Sequence, residues 1–388
     1  MAYDLTQTIM LLNMAANRAS SVDGTSQSLT ELLTLAMNQG GTWNGRTVSG
    51  FLKAVGPDLI GGDWQIVWGP IVYVHGDDKS SDNAMYVAYS ASQDMYVVAI
   101  AATDPISVFD WIAEDANIYP GEMVNAPLDP FQPLDRQYVW PNWFAPQFDG
   151  GTALGVYTLC NDLIDPAKGS IAVYLAEATK TSSTRLVFTG HSLAGALAPA
   201  LAFQLRDALA ANWNASLIYV LPSAGATPGN ALLSYMWGKF FPPFAVGNLN
   251  SGNQINQLNT LYWNTLDVVP HAWTQFKAWY SYDPNTHTMQ TNLGTLDSTT
   301  DSEILNDFFV GALGTAYVDD LARVHNASFT GTWPVTYWNG SAWVPYSAAS
   351  SYASLEALLV AEEHAHTDMY YQLFNVPRDA VPPVFPPP

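Results

Sequence analysis

Apolar and polar positions in the first third of the chain change from a helical period to a strand-like one. Leu5, Ile9, Leu12 and Ala16 recur at helical spacing, so residues 1–40 are predicted to be mostly helical. Beyond the break at GGTWNG, short polar turns separate three runs rich in β-branched and aromatic residues: QIVWGPIVYVH (65–75), AMYVAYSA (84–91) and MYVVAIAA (95–102). These runs predict an antiparallel start to a sheet.

The second half of the chain alternates the two patterns. Strands are predicted within RLVFT (185–189), SLIYVLPSAG (216–225) and NQLNTLYWNTLD (256–267). Helices are predicted at 151–180, 193–211 and 351–374. Because strands that alternate with helices usually pair in parallel, we predict an α/β protein with a mostly parallel central sheet and flanking helices.

Two aromatic and polar stretches, at 105–150 and 271–350, interrupt this alternation as excursions from the sheet. We expect residues 1–62 to form an N-terminal helical segment packed on the core. Residues 63–374 are expected to form the main domain, and residues 375–388 a Pro-rich tail.

The charge of the chain limits its partners. Its 388 residues include 34 acidic but only 13 basic side chains, a net charge of −21. This balance argues against nucleic acid and anionic membrane surfaces, and it is compatible with a neutral substrate. The single cysteine, Cys160, excludes an intramolecular disulfide and a Cys-based metal site.

The sequence shows no membrane or targeting segment. No apolar run approaches the roughly 18 residues of a spanning helix, and the N-terminus has the pattern of an amphipathic helix rather than a signal peptide. We expect no transmembrane segment. The pattern is compatible with a cytoplasmic protein or with a secreted one whose signal has been removed, and it indicates no oligomeric state.

A candidate nucleophile lies in TGHSLAGALA (189–198), between a predicted strand and a predicted helix. A sharp strand-to-helix turn strains the serine backbone and directs its Oγ out of the sheet, which would make Ser192 a nucleophile. The residues two before and two after it, Gly190 and Ala194, must be small because the strand and helix approach there. The N–H of Leu193 would face a tetrahedral oxyanion. The alternative is a packing turn with an unreactive serine.

A serine nucleophile needs a histidine base and an acid that orients it, in the chain order Ser, acid, His. Asp267 follows an apolar strand in WNTLDVVPH (263–271), and its alternative role is to cap a turn. The downstream histidines that could act as the base are His271, His287, His325, His364 and His366.

The elbow GHSLAGALA resembles that of the class 3 lipase family, which is usually GHSLGGA. That family comprises α/β-hydrolase enzymes such as triacylglycerol lipases and feruloyl esterases. The resemblance extends in scattered blocks over roughly residues 65–270 and a short block near 366. AIAATDPISVFDWIAED (99–115) resembles the block in which Arg-Gly-Thr or Arg-Gly-Ser ends a strand before a Trp-containing lid hinge. The resemblance implies that Thr103 supplies an oxyanion-hole N–H and that Trp111 belongs to the hinge.

Two further blocks imply the acid and the base. LDVVP (266–270) resembles the family's Asp-x-Val-Pro block and implies that Asp267 is the acid. HTDMYYQLF (366–374) resembles the final block, a histidine followed by tyrosine within about five residues, and implies that His366 is the base. His364 competes with it, but the spacing to Tyr370 and Tyr371 favours His366.

The sequence departs from the family pattern at three places. Ala194 replaces the second elbow glycine and adds one methyl group. Ala101 and Ala102 replace the Arg-Gly before Thr103, which bears on how the oxyanion loop is anchored. The acid and the base lie 99 positions apart, which is longer than the family usually has and predicts an inserted cap within 271–350.

These patterns together predict a serine hydrolase that cleaves carboxylic esters, with Ser192, Asp267 and His366 as triad and Thr103 and Leu193 as oxyanion hole. We expect a lid at about 105–150, a lipid-like or bulky ester substrate, and contact with a lipid–water interface. The same aromatics could instead fill a cap core. No cofactor and no metal are expected. The alternatives are an acyltransferase with the same triad and a non-catalytic binding protein of the same fold.

Overall fold

A seven-stranded mixed sheet forms the centre of the protein in its computed structural model. The structure describes residues 2–76, 80–101, 123–141, 144–272, 279–306, 326–329 (backbone only), 335–346 and 351–386. The strands of this sheet are β1 Gln65–Tyr73, β2 Asn83–Ser90, β3 Met95–Ala101, β4 Arg185–His191, β5 Ile218–Ser223, β6 Leu261–Asn264 and β7 Asn326–Phe329.

The strands lie side by side in the order in which the chain forms them, from β1 at one edge to β7 at the other. The pairs β1–β2 and β2–β3 are antiparallel. The pairs from β3–β4 to β6–β7 are parallel. The antiparallel start and the parallel continuation that the sequence predicts are therefore both present.

Helices cover both faces of the sheet. The helices of the described residues include α1 Leu5–Ala16, α2 Ser26–Met37, α3 Phe51–Ala54, α4 Gly150–Asn161, α5 Ile171–Glu177, α6 Leu193–Ala210, α7 Ala231–Phe240, α8 Leu355–Glu363 and α9 Met369–Leu373. The single helical stretch predicted at 151–180 is two helices, because a short hairpin of Ile164–Asp165 and Gly169–Ser170 separates α4 from α5. No helix in the described ranges is long and apolar enough to cross a membrane.

Alternation along the central strands divides the core into two layers. In β2, Met85 and Val87 belong to the apolar cluster that includes residues of α4, α5, α6 and α7. Tyr86 and Ala88, which point to the other face, belong to the cluster that includes α1 and α2. The period of two in the strand sequence thus buries both faces of the sheet, as expected when helices lie on each side.

The polar residue within the apolar stretch of α1 has a partner in the sheet. Asn13 is buried, and its side-chain N–H donates to the Ile100 carbonyl at 2.9 Å. A buried amide without such a bond would cost about 1–3 kcal/mol. The bond therefore holds α1 against the end of β3.

The range predicted as a single cap, 271–350, contains two kinds of structure. One is antiparallel β structure. Tyr280–Asp283, Thr288–Thr291 and Gly294–Leu296 form a sheet that Ser351–Tyr352, just beyond the range, extends to four strands, and Thr336–Trp338 forms a separate hairpin with Trp343–Pro345. The other is β7, whose Asn326 pairs with Leu261 of β6. The central sheet therefore re-enters within the predicted insertion, because β7 supplies the edge strand that covers β6.

The excursion predicted at 105–150 is described from residue 123 onwards, apart from 142–143. Its three short strands, Met123–Asn125, Tyr138–Val139 and Gln147–Phe148, form a separate small sheet. Three aromatic side chains in this segment are largely exposed, Phe131 at 94%, Trp140 at 68% and Phe144 at 92%. The remaining short strands of the described chain pair as Gly41–Trp43 with Arg46–Val48 and Phe244–Ala245 with Gln257–Leu258.

The Pro-rich tail packs on the N-terminal segment. The Arg46 guanidinium lies 3.4 Å from the centroid of the Phe385 ring. Ser49 donates its backbone N–H to the Val384 carbonyl at 3.0 Å, and Arg18 donates to the Pro383 carbonyl at 3.1 Å. Arginine stacking and these hydrogen bonds hold the end of the chain in place.

Replacing Phe385 by alanine is expected to lower the free energy of unfolding by about 1–2 kcal/mol, because the cation–π contact and the buried part of the ring are lost. Urea denaturation with a fluorescence readout measures this change. Phe131→Ala is the matched control, since that ring is 94% exposed, and it is expected to change stability by less than about 0.5 kcal/mol. Equal effects of the two substitutions would show that the tail contact contributes no stability.

Candidate active site

Ser192 lies at the turn between β4 and α6 in a strained backbone conformation. Its φ of 63° and ψ of −130° fall in a region that a residue with a Cβ rarely adopts. The turn is held on both sides, because Ser192 N–H donates to the Ser223 carbonyl at 3.1 Å and Gly195 N–H donates to the Ser192 carbonyl at 2.8 Å. A serine at a strained strand-to-helix turn is the geometry of a nucleophile elbow.

Close backbone approaches explain the small residues around the turn. A Cβ on Gly190 would lie 1.9 Å from the Ala194 carbonyl oxygen, so a glycine is required there. A Cβ on Gly195 would lie 2.2 Å from the Ser223 carbonyl oxygen and 2.8 Å from Gly225 Cα. Ala194 itself is fully buried, and its methyl group is accommodated.

Asp267 and His366 lie together in the core. His366 Nδ1 is 3.0 Å from both carboxylate oxygens of Asp267, and the Asp267 side chain is 0% exposed. Since Nδ1 is the donor to a carboxylate, the neutral ring carries its lone pair on Nε2. His366 Nε2 is buried and has no hydrogen-bond partner among the described residues. The ring is therefore oriented to accept a proton at Nε2.

Further donors fix the Asp267 carboxylate. Oδ1 accepts the Val269 N–H at 3.0 Å, and Oδ2 accepts the Tyr370 hydroxyl at 2.7 Å. The same hydroxyl accepts the Asn264 N–H at 2.9 Å. Burial by itself would raise the pKa of Asp267, but the nearby His366 and these hydrogen bonds outweigh it and hold the pKa below its ordinary value.

A single π-helical turn, His364–Asp368, connects α8 to α9 and places the two competing histidines differently. The extra residue of a π-turn changes the direction of the following side chains, and such turns are frequent at functional sites. His366 contacts Asp267, whereas His364 Nδ1 lies 2.7 Å from the Asp368 carboxylate. The rings of Tyr337 and Tyr346 lie 5.3 Å and 4.9 Å from the His364 ring.

His191 connects the serine turn to the His366 pair. Its Nδ1 lies 2.9 Å from Ser223 Oγ, and its ring centroid lies 4.9 Å from that of His366. Burial, aided by the nearby His366, lowers the pKa of His191 to about 3. His191 is therefore neutral near pH 7, and it adds no positive charge beside His366. The residue directly before Ser192 thus packs on the ring that Asp267 orients.

A buried carboxyl group, Glu362, completes the cluster. One oxygen each of Asp267 and Glu362 and one nitrogen of His366 lie within 4.8 Å of one another, a set of ligand types that could hold a metal ion. The oxygens of Asp267 already accept from Val269, His366 and Tyr370. A metal at this position would have to displace those donors, so the contacts favour a hydrogen-bonded cluster over a metal centre.

The structure thus places four of the five predicted site residues. It brings Asp267 and His366 together, and Ser192 lies one residue from His191. Leu193 is the first residue of α6. Thr103 lies outside the described residues, as does Trp111.

Sequence reasoning did not single out Glu362, and it treated Tyr370 only as a spacing marker. Glu362 precedes His366 by four positions, as in a pair on one helical face, and that spacing was the available signal. It could not separate Glu362 from Glu363, because their different burial depends on the fold.

Comparisons with solved structures identify the fold. The crystal structure of M37 lipase matches 98% of this chain and 97% of its own, at 18% identity and a TM-score of 0.62. Lipase II from Rhizopus niveus matches 70% of this chain and 77% of its own, at 16% identity and a TM-score of 0.41. The lipase from Rhizopus microsporus var. chinensis matches 70% of this chain and 71% of its own, at 14% identity and a TM-score of 0.40.

Of these, the match to M37 lipase carries the comparison, and it shows that the protein shares the fold of that structure over nearly its whole length. No family model matches the sequence. No curated protein matches it.

Proposed function

We propose that the protein is a serine hydrolase that cleaves carboxylic esters. The observation that carries this proposal is the pair of Asp267 and His366, which lies against the residue next to a serine in a strained strand-to-helix turn. A base oriented by an acid and an outward-facing serine are the parts that nucleophilic acyl transfer requires. The lipase fold supports the same class of reaction as an analogy.

In the proposed mechanism, Ser192 Oγ attacks the acyl carbonyl while His366 Nε2 takes its proton. Asp267 holds the Nδ1–H tautomer and stabilises the imidazolium that forms. His366 then returns the proton to the leaving alcohol. Water attacks the acyl-enzyme in the second half of the reaction, with His366 again as the base, and this releases the acid.

The oxyanion is held by backbone N–H groups. Leu193, at the first position of α6, donates from the positive end of the helix. We assign the second N–H to Thr103 on the resemblance of its sequence block. The apolar end of β3 precedes that residue, and the bond from Asn13 to the Ile100 carbonyl holds this end of the strand.

We further propose that the substrate is bulky and apolar, and that the 105–150 segment acts as a lid over it. The exposed rings of Phe131, Trp140 and Phe144 support this, because such groups favour contact with lipid-like material over water. A lid of this kind predicts activity at a lipid–water interface.

Hydrolysis of p-nitrophenyl esters of graded chain length tests the proposal. We expect turnover of the esters, with a preference for longer acyl chains and a rise in rate above the solubility limit of the substrate. Turnover whose rate does not change across that limit would contradict the proposed lid but would leave the proposed hydrolase activity supported. Product analysis with added alcohol separates hydrolysis from acyl transfer, and failure of a fluorophosphonate probe to label the protein would favour a binding role.

A further inference from the structure

Glu362 connects the loop of Asp267 and Val268, called the acid loop below, to the helical segment that carries His366. It lies near the end of α8, four residues before His366, and it is 4% exposed. Its Oε1 accepts the Val268 N–H at 2.7 Å, across 94 positions of sequence. Val268 directly follows Asp267, so this bond holds the acid loop on the element that positions His366.

The second oxygen of Glu362 has no donor and no cation as a partner among the described residues. Oε2 is buried, and no donor of the described residues lies within hydrogen-bond distance of it. No ion pair in the described ranges includes Glu362. One oxygen of the Glu362 carboxyl group lies within 4.8 Å of one oxygen of the Asp267 carboxylate. Two ionised carboxylates at this distance, both buried away from solvent, would repel each other, whereas a protonated Glu362 has an O–H that it can donate to Asp267.

We propose that Glu362 is a neutral carboxylic acid that donates its proton to Asp267, and that it is a positioning residue for the acid and the base. The two carboxyl groups then share one negative charge. This proposal rests on the proposed function for the positioning role, while the protonation of Glu362 stands independently of it.

The groups around Glu362 support a neutral acid. Burial first, and then the charge of Asp267, raise the pKa of Glu362 well above its ordinary value. The other titratable groups near it among the described residues are His366 on the π-turn, Tyr352 on the four-stranded sheet and Tyr370 on α9. Burial likewise raises the pKa of both tyrosines, so they stay neutral and supply no charge that could stabilise an ionised Glu362.

A neutral Glu362 matters for the charge balance of the reaction. The imidazolium of His366 then pairs with a single negative charge, on Asp267. The proton on His366 therefore stays available for transfer to the leaving group. A second ionised carboxylate would hold that proton more strongly. The bonds to Asp267 and Val268 also restrict the loop, so the orientation of the acid is set before substrate binds.

The first test compares thermal stability of the wild type, Glu362→Gln and Glu363→Gln from pH 5 to pH 8. The glutamine amide keeps the acceptor for Val268 and supplies an N–H to Asp267, so it mimics the neutral acid. Glu363 is the exposed neighbour and serves as the matched control.

In the unfolded wild type the pKa of Glu362 is near its ordinary value of 4.5, below this window, so the unfolded chain has released this proton while the folded protein keeps it. The unfolded state thus binds fewer protons, and the stability of the wild type falls as pH rises. Glu362→Gln lacks this loss, so its Tm relative to wild type is expected to rise by about 2 °C per pH unit. Glu363→Gln is expected to give a flat difference, and a flat difference for Glu362→Gln would refute the neutral acid.

The second test measures fluorophosphonate labelling and ester hydrolysis in Glu362→Gln and Glu362→Leu. We expect Glu362→Gln to stay within about threefold of wild type, and Glu362→Leu to lose about 10- to 100-fold in kcat with little change in KM, because a hydrogen bond to a charged group is gone. Circular dichroism confirms that both variants are folded at the assay temperature.

The outcomes separate the two claims. Labelling of Glu362→Leu at the wild-type rate would overturn the positioning role. A wild type that neither labels nor turns over ester would refute the proposed function, while the pH dependence of Tm would still report the protonation of Glu362.

Discussion

Replacing Ser192 by alanine is expected to lower ester hydrolysis by a factor of about 10⁶, because the hydroxyl that is proposed to form the acyl-enzyme is removed. Turnover of a soluble p-nitrophenyl ester measures the loss. The fold should persist, since alanine keeps the Cβ and the backbone bonds of the turn, and the urea midpoint of the variant is expected to lie close to that of the wild type.

Ser216→Ala is the matched control for this substitution. β4 and β5 are parallel, with Leu186 opposite Ile218 at one end and His191 opposite Ser223 at the other. Ser216 therefore precedes β5 at the end of the sheet away from Ser192, and its replacement should leave turnover unchanged. Retained hydrolysis in Ser192→Ala would contradict the nucleophile assignment.

Replacing His366 by alanine is expected to cost about 10⁵- to 10⁶-fold in kcat, because the proton of Ser192 then has no acceptor. His364→Ala is expected to stay within about tenfold of wild type. His364 belongs to a different set of contacts, with the Asp368 carboxylate and two tyrosine rings. Steady-state kinetics of both variants on the same ester provide the comparison.

The two histidine variants also distinguish a catalytic from a structural loss. Both histidines have a carboxylate partner, but the pair of His366 and Asp267 is buried, whereas His364 and Asp368 are partly exposed. His366→Ala is therefore expected to lower the unfolding midpoint more than His364→Ala. The rates are compared at a temperature at which both variants are folded, so that the kinetic difference is not a loss of folded protein. A larger kinetic loss in His364→Ala than in His366→Ala would reverse the assignment of the base.

The sequence was sufficient to predict the elements around the serine. The run LVF before Gly190 is a buried strand, and the alanine- and leucine-rich stretch after Ser192 is a helix, as predicted. Local patterns suffice here because period and turn residues are properties of neighbouring positions. The strain at Ser192 follows from the same local geometry, since the strand must reverse into a helix within one residue.

The edge strand β7 was not predictable in this way. Asn326–Phe329 lies inside the range assigned to a cap, and its four residues show no distinctive alternation. Its membership of the central sheet comes from pairing with β6, some 65 positions earlier in the chain. Such pairing is a long-range property, which no local window contains.

The choice between His364 and His366 shows the same limit. Two positions along a regular helix differ by about 200° in direction, so the sequence establishes that only one of them can face the acid. The π-turn at His364–Asp368 sets which one does, and no residue in AEEHAHTD marks that turn in advance.

By itself, the sequence determined the α/β alternation, the serine turn and the candidate residues Ser192, Asp267 and His366 in their chain order, because these depend on residue types and short spacings. Tertiary structure alone decided the environment of those residues. It placed Asp267 where no water reaches it, set His191 against His366, and buried Glu362 while leaving Glu363 exposed. The protonation states follow from this burial, since a charge is costly only where the fold removes its solvent.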